Sequence, residues 1–483
     1  MSNNNYKRDI ATGVYYTAIA KYSSVIVSMI VVAILSRLLV PEDFGIVAIA
    51  SVIIHFLSNF TTLGLEPAII QHKDLQKKDY SNIFSFTFWT GSIISILFFI
   101  SSWPISEYYD SKALLYICQL LSLQLFFSTI NIVPNSLLYK DKEFRFIAFR
   151  TLGVQIAGGT AAIIAALSGM GLYSLIINPI FSSIVIFVIN NKKYPSKLQF
   201  SFGTSTISKI FRYSSYQFLF GLINYFSRNL DKLIIGKHLG MSPLGFYEKS
   251  YRLMMLPLQN ISHVIGPVMH PVFSDFQNDI GHLSISYEKV VRLLAFIGFP
   301  LSVILFFTGN ELITLFFGPN WVQSVPAFKI LTISVGTQII LATSGSIFQA
   351  TNSTKALFIS GLINTSLSVA GMVAALLIYK SIESVALAIS VTFILNFILT
   401  YFILYYYILK RNVFNLFKQT LPSLLLSIIL ILANIPLSKI TAQLHPLIAL
   451  IIKSGTSLSI ALIYIQATKE YNLYGMVTKF LKK

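Results

Sequence analysis

Long apolar runs separated by short polar, mostly basic gaps set the pattern of this chain from Val14 to Ala467. About 20 mostly apolar residues in helical form cross a hydrocarbon core about 30 Å thick, and helices satisfy their own backbone groups there. On that ruler fourteen spans are predicted, near 14–39, 44–70, 82–104, 113–138, 146–167, 170–189, 214–236, 245–273, 290–308, 325–349, 356–378, 384–408, 420–437 and 445–467. The second and eighth carry polar residues and internal proline. The first run is interrupted only by Lys21, is too long for the apolar core of a signal peptide and lacks a small-residue cleavage site after it, so it reads as a retained span. No connecting segment is long enough to form a soluble domain.

One stretch, 34–76, recurs. Shifting the sequence by 200 positions without gaps places Ile34, Leu39, Gly45 and Pro67 on Ile234, Leu239, Gly245 and Pro267, with Arg37 on Lys237 and Phe44 on Leu244. A looser echo sets the entry to the fifth span, 140–145, beside the entry to the eleventh, 351–355. Six spans separate the copies, so both point the same way through the membrane, as in transporters built from parallel repeats. The expected fold is an all-α polytopic membrane protein with two pseudo-symmetric six-helix bundles, residues 1–195 and 196–411. Residues 412–483 add two further spans and a tail.

Composition agrees: of 483 residues, 55% are hydrophobic and only 11% charged. Mean hydropathy is +0.71. A net charge of +18 would suggest nucleic acid in a soluble protein, but here the basic residues sit mostly in short gaps, and no nucleic-acid partner is expected. With fourteen spans, the side opposite the termini holds only Arg37, Lys112, Lys237, Lys380 and Lys439, which places both termini in the cytoplasm. The single cysteine, Cys118, lies in an apolar run and offers neither a disulfide nor a cysteine metal site. No cofactor is expected.

The chemistry rests on charges within the spans. Each Lys or Arg at the bilayer centre costs about 2.5 to 3.5 kcal/mol on insertion scales, so such residues face water or partners. Lys329 and Lys453, near span ends, are expected to snorkel. The informative cations are Lys21, Arg228, Lys232, Lys249 and Arg252, with Asp231 and Glu248 as charge partners. Arg228 and Lys232 share one helical face, as do Glu248 and Arg252. Two carboxylates cannot neutralise four cations, so beside the reading as a structural latch stands a positive cavity wall suited to an anionic, phosphate-bearing substrate. Glu66 reads either as a coupling-ion site for H+ or Na+ or as a helix-end carboxylate, and the lone His55 and His263 read as packing or hydrogen-bonding residues. Gly153, Gly158 and Gly159 with the alanines of the fifth span point to close helix packing. No glycine-rich phosphate loop, metal-ligand spacing or nucleophile elbow occurs, so an enzyme is not expected.

The segments SRLLVPEDFGIVAIA and LGLEPAIIQHKDL in the opening repeat resemble the polysaccharide exporters of the multidrug/oligosaccharidyl-lipid/polysaccharide superfamily, in the colanic and teichuronic acid branch. The likeness continues through RTLGVQIAGGTAAIIAALSGMGLYSLI, NLDKLIIGKHLGMSPLGFYEKSYRLMMLPLQNI, PVFSDFQND and LFFGPNW, over roughly the first 350 residues. The resemblance implies flipping of an undecaprenyl-diphosphate-linked oligosaccharide repeat unit to the outer leaflet of a bacterial cytoplasmic membrane, for O-antigen, capsule or exopolysaccharide synthesis. It also implies a central cationic cavity to which Lys21, Arg228, Lys232 and Arg252 are candidates to contribute. Alternating access assisted by membrane potential, H+ or Na+ is the expected mechanism. The expected partners are the lipid-linked substrate, membrane lipids, and the polymerase and glycosyltransferases of the pathway. The rivals are a multidrug or organic-cation exporter of the same superfamily and a membrane enzyme of polysaccharide assembly.

Overall fold

The computed structural model describes residues 3–62, 65–72, 75–199, 225, 228–276 and 279–470, and every regular element among them is helical. Eleven helices are long and apolar enough to cross a membrane, and a bent pair, Ser324–Thr332 with Val335–Ala350 at 47°, makes up to twelve. These coincide with twelve of the fourteen expected positions. The expected span 214–236 lies outside the described residues up to 224, and its described end, 228–238, is helical. The expected span 245–273 is helical over Met241–Ser274 but is not among the eleven, since Glu248, Lys249, Arg252, Gln259 and Asn260 dilute its apolar character.

The chain forms two compact units, Met1–Gly245 and Phe246–Lys483. In the first, α1 (Asn3–Leu38) packs along α7 (Phe144–Leu167), α4 (Lys77–Tyr108) along α5 (Lys112–Ile130), and α7 along α8 (Ser174–Lys193). The small residues of α7 explain its approaches to α1 and α8. A methyl at Gly159 would meet the Val31 side chain at 2.5 Å, and one at Gly158 the Asn178 carboxamide at 2.3 Å, whereas Gly153 faces open space. Helix α2 (Pro41–Thr62) is followed by the short α3 (Leu65–Gln71), and α5 is followed at Asn131 by α6 (Ile132–Lys140). Leu65, Ile69, Ile83, Phe84, Ile130, Ile132 and Val133 bury an apolar core between those pieces.

The repeat copies touch within this unit. Helix 228–238 is α9 and Met241–Ser274 is α10. A Cβ on Gly45 would sit 1.9 Å from the Met241 carbonyl oxygen, and a Cβ on Gly245 would sit 1.9 Å from that of Pro41. Since 241 and 245 are 41 and 45 shifted by 200, the contact is reciprocal, and the shared glycine lets backbone meet backbone.

In the second unit α11 (Ile280–Phe307) packs against α18 (Phe414–Ile440) and α14 (Val335–Leu341), and α16 (Thr354–Tyr379) against α17 (Ile382–Ile403). Its start is capped by Asp279, which accepts the His282 amide at 2.9 Å. Between α11 and α13 (Ser324–Thr332) lie the short α12 (Gly309–Phe317) and a turn at Pro319–Trp321. A single π turn, Leu404–Ile408, ends α17, α15 is Ser344–Ala350, and α19 (Pro446–Ala467) packs on α18.

Candidate functional site

Period 3.6 brings Arg228 and Lys232 onto one face of α9, and the structure grades their exposure: Arg228 is exposed, Lys232 half-buried and Asp231 buried. The Asp231 carboxylate accepts the Lys232 backbone amide at 2.9 Å. His55 of α2 lies within electrostatic reach of Lys232. Lys21 is half-buried on α1. Arg228, Lys232 and Lys21 thus all belong to the first unit, whereas Glu248, Lys249 and Arg252 belong to the second.

In the second unit the cations divide. Arg252 is exposed and Glu248 half-buried, but Lys249 is 1% exposed, with its ammonium 4.8 Å from the Phe317 ring centroid and 5.0 Å from that of Trp321. Trp321 is itself fully buried and meets Phe246 edge-on at 5.9 Å. Aromatic faces hold a desolvated cation electrostatically, so Lys249 fastens α10 to the α12–α13 connection, and Phe317 and Trp321 of LFFGPNW are the walls of its cage. Arg252, one turn on, keeps an accessible guanidinium.

Glu66 is half-buried on α3 and accepts a hydrogen bond from Asn135 Nδ2 at 3.2 Å. It heads a polar network that sequence reading did not assemble. The Arg150 guanidinium donates to Asn135 Oδ1 at 3.3 Å and to Asn190 Oδ1, and Asn190 donates to Asn131 Oδ1 at 2.8 Å. Asn135 therefore bridges a carboxylate and a guanidinium carried on different helices. Lys140 closes the end of α3 by donating to the carbonyls of Ile69 at 3.1 Å and His72 at 2.6 Å. Arg150 lies inside α7, and the signal in the sequence that could have found its network is a set of asparagines within apolar runs.

Lys453 also departs from expectation. It does not snorkel: it is buried, its ammonium 2.6 Å from Glu311 Oε1 and 3.1 Å from the Phe307 carbonyl. Glu288 and Glu311 are more enclosed than Glu66. Spacing along the chain cannot reveal a pair separated by 142 residues. No group of three or more His, Cys, Asp or Glu residues able to hold a metal ion occurs among the described residues.

The family described as "Polysaccharide biosynthesis protein" matches residues 34–326, more than half of the chain and including both repeat copies. The chain belongs to this family. Among curated relatives, "Lipopolysaccharide biosynthesis protein WzxC" of Escherichia coli (strain K12) is 23% identical over 342 residues, covering 68% of each chain. "Teichuronic acid biosynthesis protein TuaB" of Bacillus subtilis (strain 168) is 21% identical over 347 residues, covering 71% of each. Among solved structures, the fold is similar to "Lipid II flippase MurJ, inward closed conformation", with a TM-score of 0.72, 15% identity, and coverage of 95% of this chain and 99% of that one. An inward-facing multidrug resistance MATE family transporter of the MOP superfamily follows, with a TM-score of 0.61, 14% identity, and coverage of 80% and 96%. This member of the polysaccharide biosynthesis family is a multi-pass membrane protein with bacterial relatives, and its fold is that of flippase and multidrug-transporter structures.

Proposed function

We propose that this transporter flips an undecaprenyl-diphosphate-linked oligosaccharide repeat unit from the cytoplasmic to the outer leaflet for O-antigen, capsule or exopolysaccharide synthesis. The observation that carries this reading is the family match over residues 34–326, which joins polysaccharide biosynthesis to a flippase-like membrane fold. The drug-exporter alternative shares the fold but not the family, and a net excess of cations within the spans suits an anionic headgroup better than an organic cation.

In this reading the chain has fourteen spans, the twelve described helices together with 214–236 and α10, and both termini are cytoplasmic. The repeat-based partition into 1–195, 196–411 and 412–483 describes the moving parts of an alternating-access cycle. Lys21, Arg228, Lys232 and Arg252 offset desolvation of the diphosphate, with Arg228 and Arg252 the most accessible, while the polyprenyl tail stays in lipid. Lys249, enclosed by Phe317 and Trp321, joins them only if its cage opens during the cycle. Outward movement of an uncompensated anion through the whole field gains about 2.3 kcal/mol per charge per 100 mV when the cytoplasm is negative. Glycosyltransferases that build the repeat unit and a polymerase that consumes it are the expected neighbours in the pathway.

The test is the Arg228→Ala/Arg252→Ala double variant in cells that depend on this protein for surface polysaccharide. We expect loss of polymer with normal amounts of membrane-inserted protein. Undiminished polymer would remove the cationic-site reading, and tight binding of cationic dyes by the purified wild type would favour the drug exporter.

A further inference from the structure

From Ser384 to Lys469 the chain carries no Asp or Glu. Within that stretch three cations, Lys410, Arg411 and Lys418, fall in nine positions around the connection between α17 and α18. Lys410 and Lys418 are exposed and Arg411 is half-buried, and none of these side chains forms an ion pair or hydrogen bond with a described residue. Several other cations at helix ends are occupied: Lys193 meets Glu143 at 2.9 Å, Lys140 donates to two carbonyls, and Arg292 pairs with Glu470. One acid approaches α18 here, Glu288 of α11, 3.5 Å from Gln419 Nε2. It is 8% exposed and has Arg292 one turn along its own helix, so it adds no negative charge to the surface.

The backbone under these cations is well tied. After the π turn the Leu409 amide donates to the Leu404 carbonyl and the Arg411 amide to that of Tyr405, both at 2.9 Å. Asn412 Oδ1 then accepts the Phe414 amide at 2.9 Å where α18 begins. Between them Lys410 has a φ of 49°, the left-handed conformation that glycine usually supplies after a helix. The position thus keeps a long cationic side chain at a steric cost that glycine would avoid.

Aromatic rings flank the cations on both sides. Phe402 stacks on Tyr406 at 5.6 Å with their planes 7° apart, and Tyr407 meets Tyr406 edge-on at 4.9 Å. Beyond the connection Phe414 meets Phe417 at 5.9 Å. All five rings are exposed, whereas Tyr405 between them is buried. Aromatic rings beside Lys and Arg at a helix end match the headgroup layer of a membrane, where rings sit at the polar–apolar boundary and cations reach phosphate. A small free anion is held by an enclosed set of donors. Three cations along an exposed edge, flanked by rings that need apolar cover, fit instead an anion that brings its own acyl chains.

We propose that the α17–α18 connection is a binding site for the phosphodiester headgroup of an anionic phospholipid. Lys410, Arg411 and Lys418 meet the phosphate, and Tyr406, Tyr407, Phe414 and Phe417 lie against the glycerol and acyl chains. That this is the cytoplasmic leaflet rests on the topology proposed above, whereas the binding does not. The test is native mass spectrometry of the full-length protein, stripped of lipid in detergent and titrated with phosphatidylglycerol or phosphatidylcholine of matched acyl chains. The wild type retains phosphatidylglycerol preferentially, and the preference falls as salt is added. Near an anionic lipid each Lys or Arg contributes about a fivefold preference, so Lys410→Gln loses about fivefold and Lys410→Gln/Arg411→Gln/Lys418→Gln about a hundredfold. The control Lys77→Gln/Lys78→Gln/Lys192→Gln makes the same change in charge at other helix ends and keeps the preference. Should the first triple variant not fold, Lys410→Gln and Lys418→Gln singly carry the test. Equal retention of the two lipids by the wild type, or equal losses in the two triple variants, overturns the site. Saturable binding of inorganic phosphate at these residues, or displacement of phosphatidylglycerol by equimolar undecaprenyl diphosphate, assigns them to a free anion or to a transport substrate and overturns the phospholipid assignment. Because no readout involves polysaccharide, failure of the export reading leaves the result legible.

Discussion

The two copies of the repeat, 34–76 and 234–276, share their opening and then diverge. Both begin with a helix that brings a glycine against the other copy's carbonyl. The first then runs from α2 to the short α3, where Glu66 joins Asn135, Arg150 and Asn190; the second continues as one 34-residue helix whose Lys249 sits in the Phe317 and Trp321 cage. The shared part is backbone geometry, which admits only glycine, and the divergent part is side-chain chemistry. The shared glycine thus accompanies a reciprocal contact, while the side chains beyond it fasten each stretch differently.

Breaking the shared contact should have the largest effect. In Gly45→Ala or Gly245→Ala the new methyl must displace a main-chain carbonyl, so we expect little or no folded protein in the membrane fraction, whereas Gly153→Ala and Gly345→Ala, which face open space, retain wild-type levels. Next, removing the fastening of the second copy by Trp321→Ala empties a fully buried site and should cost about 3 to 5 kcal/mol, read as a lowered unfolding midpoint of the detergent-purified protein.

The corresponding change in the first copy, Asn135→Ala, leaves Glu66 and Arg150 without their bridge and should cost about 1 to 3 kcal/mol in the same measurement. An equal or larger loss than for Trp321→Ala would reverse the ranking of the two fastenings. The smallest effect belongs to Asp110→Ala. Its carboxylate is 3.1 Å from the Lys237 ammonium but 84% exposed, so less than about 1 kcal/mol is expected.

Much of the fold was legible because membrane spans announce themselves by length and apolarity, and twelve expected positions reappear as helices. α10 is less apolar than the other spans for a reason also visible in sequence: Glu248, Lys249 and Arg252 crowd its first turns, and Gln259, Asn260 and His263 interrupt the rest. The site was legible only in its charges. Nothing local to Lys249 shows that Trp321, 72 positions away, covers it, and helical periodicity placed Arg228 and Lys232 on one face without fixing that Arg228 is the more exposed. Lys453 was read from its place near a span end, which is silent on the Glu311 carboxylate that packing brings to it.

The central claim, translocation of a lipid-linked repeat unit, is tested most directly by the leaflet distribution of such units in cells that lose this protein while the enzymes assembling the unit remain active. The account predicts their accumulation in the cytoplasmic leaflet, reversed by the wild type and not by the Arg228→Ala/Arg252→Ala variant. Arrival in the outer leaflet at an undiminished rate without the protein would contradict it.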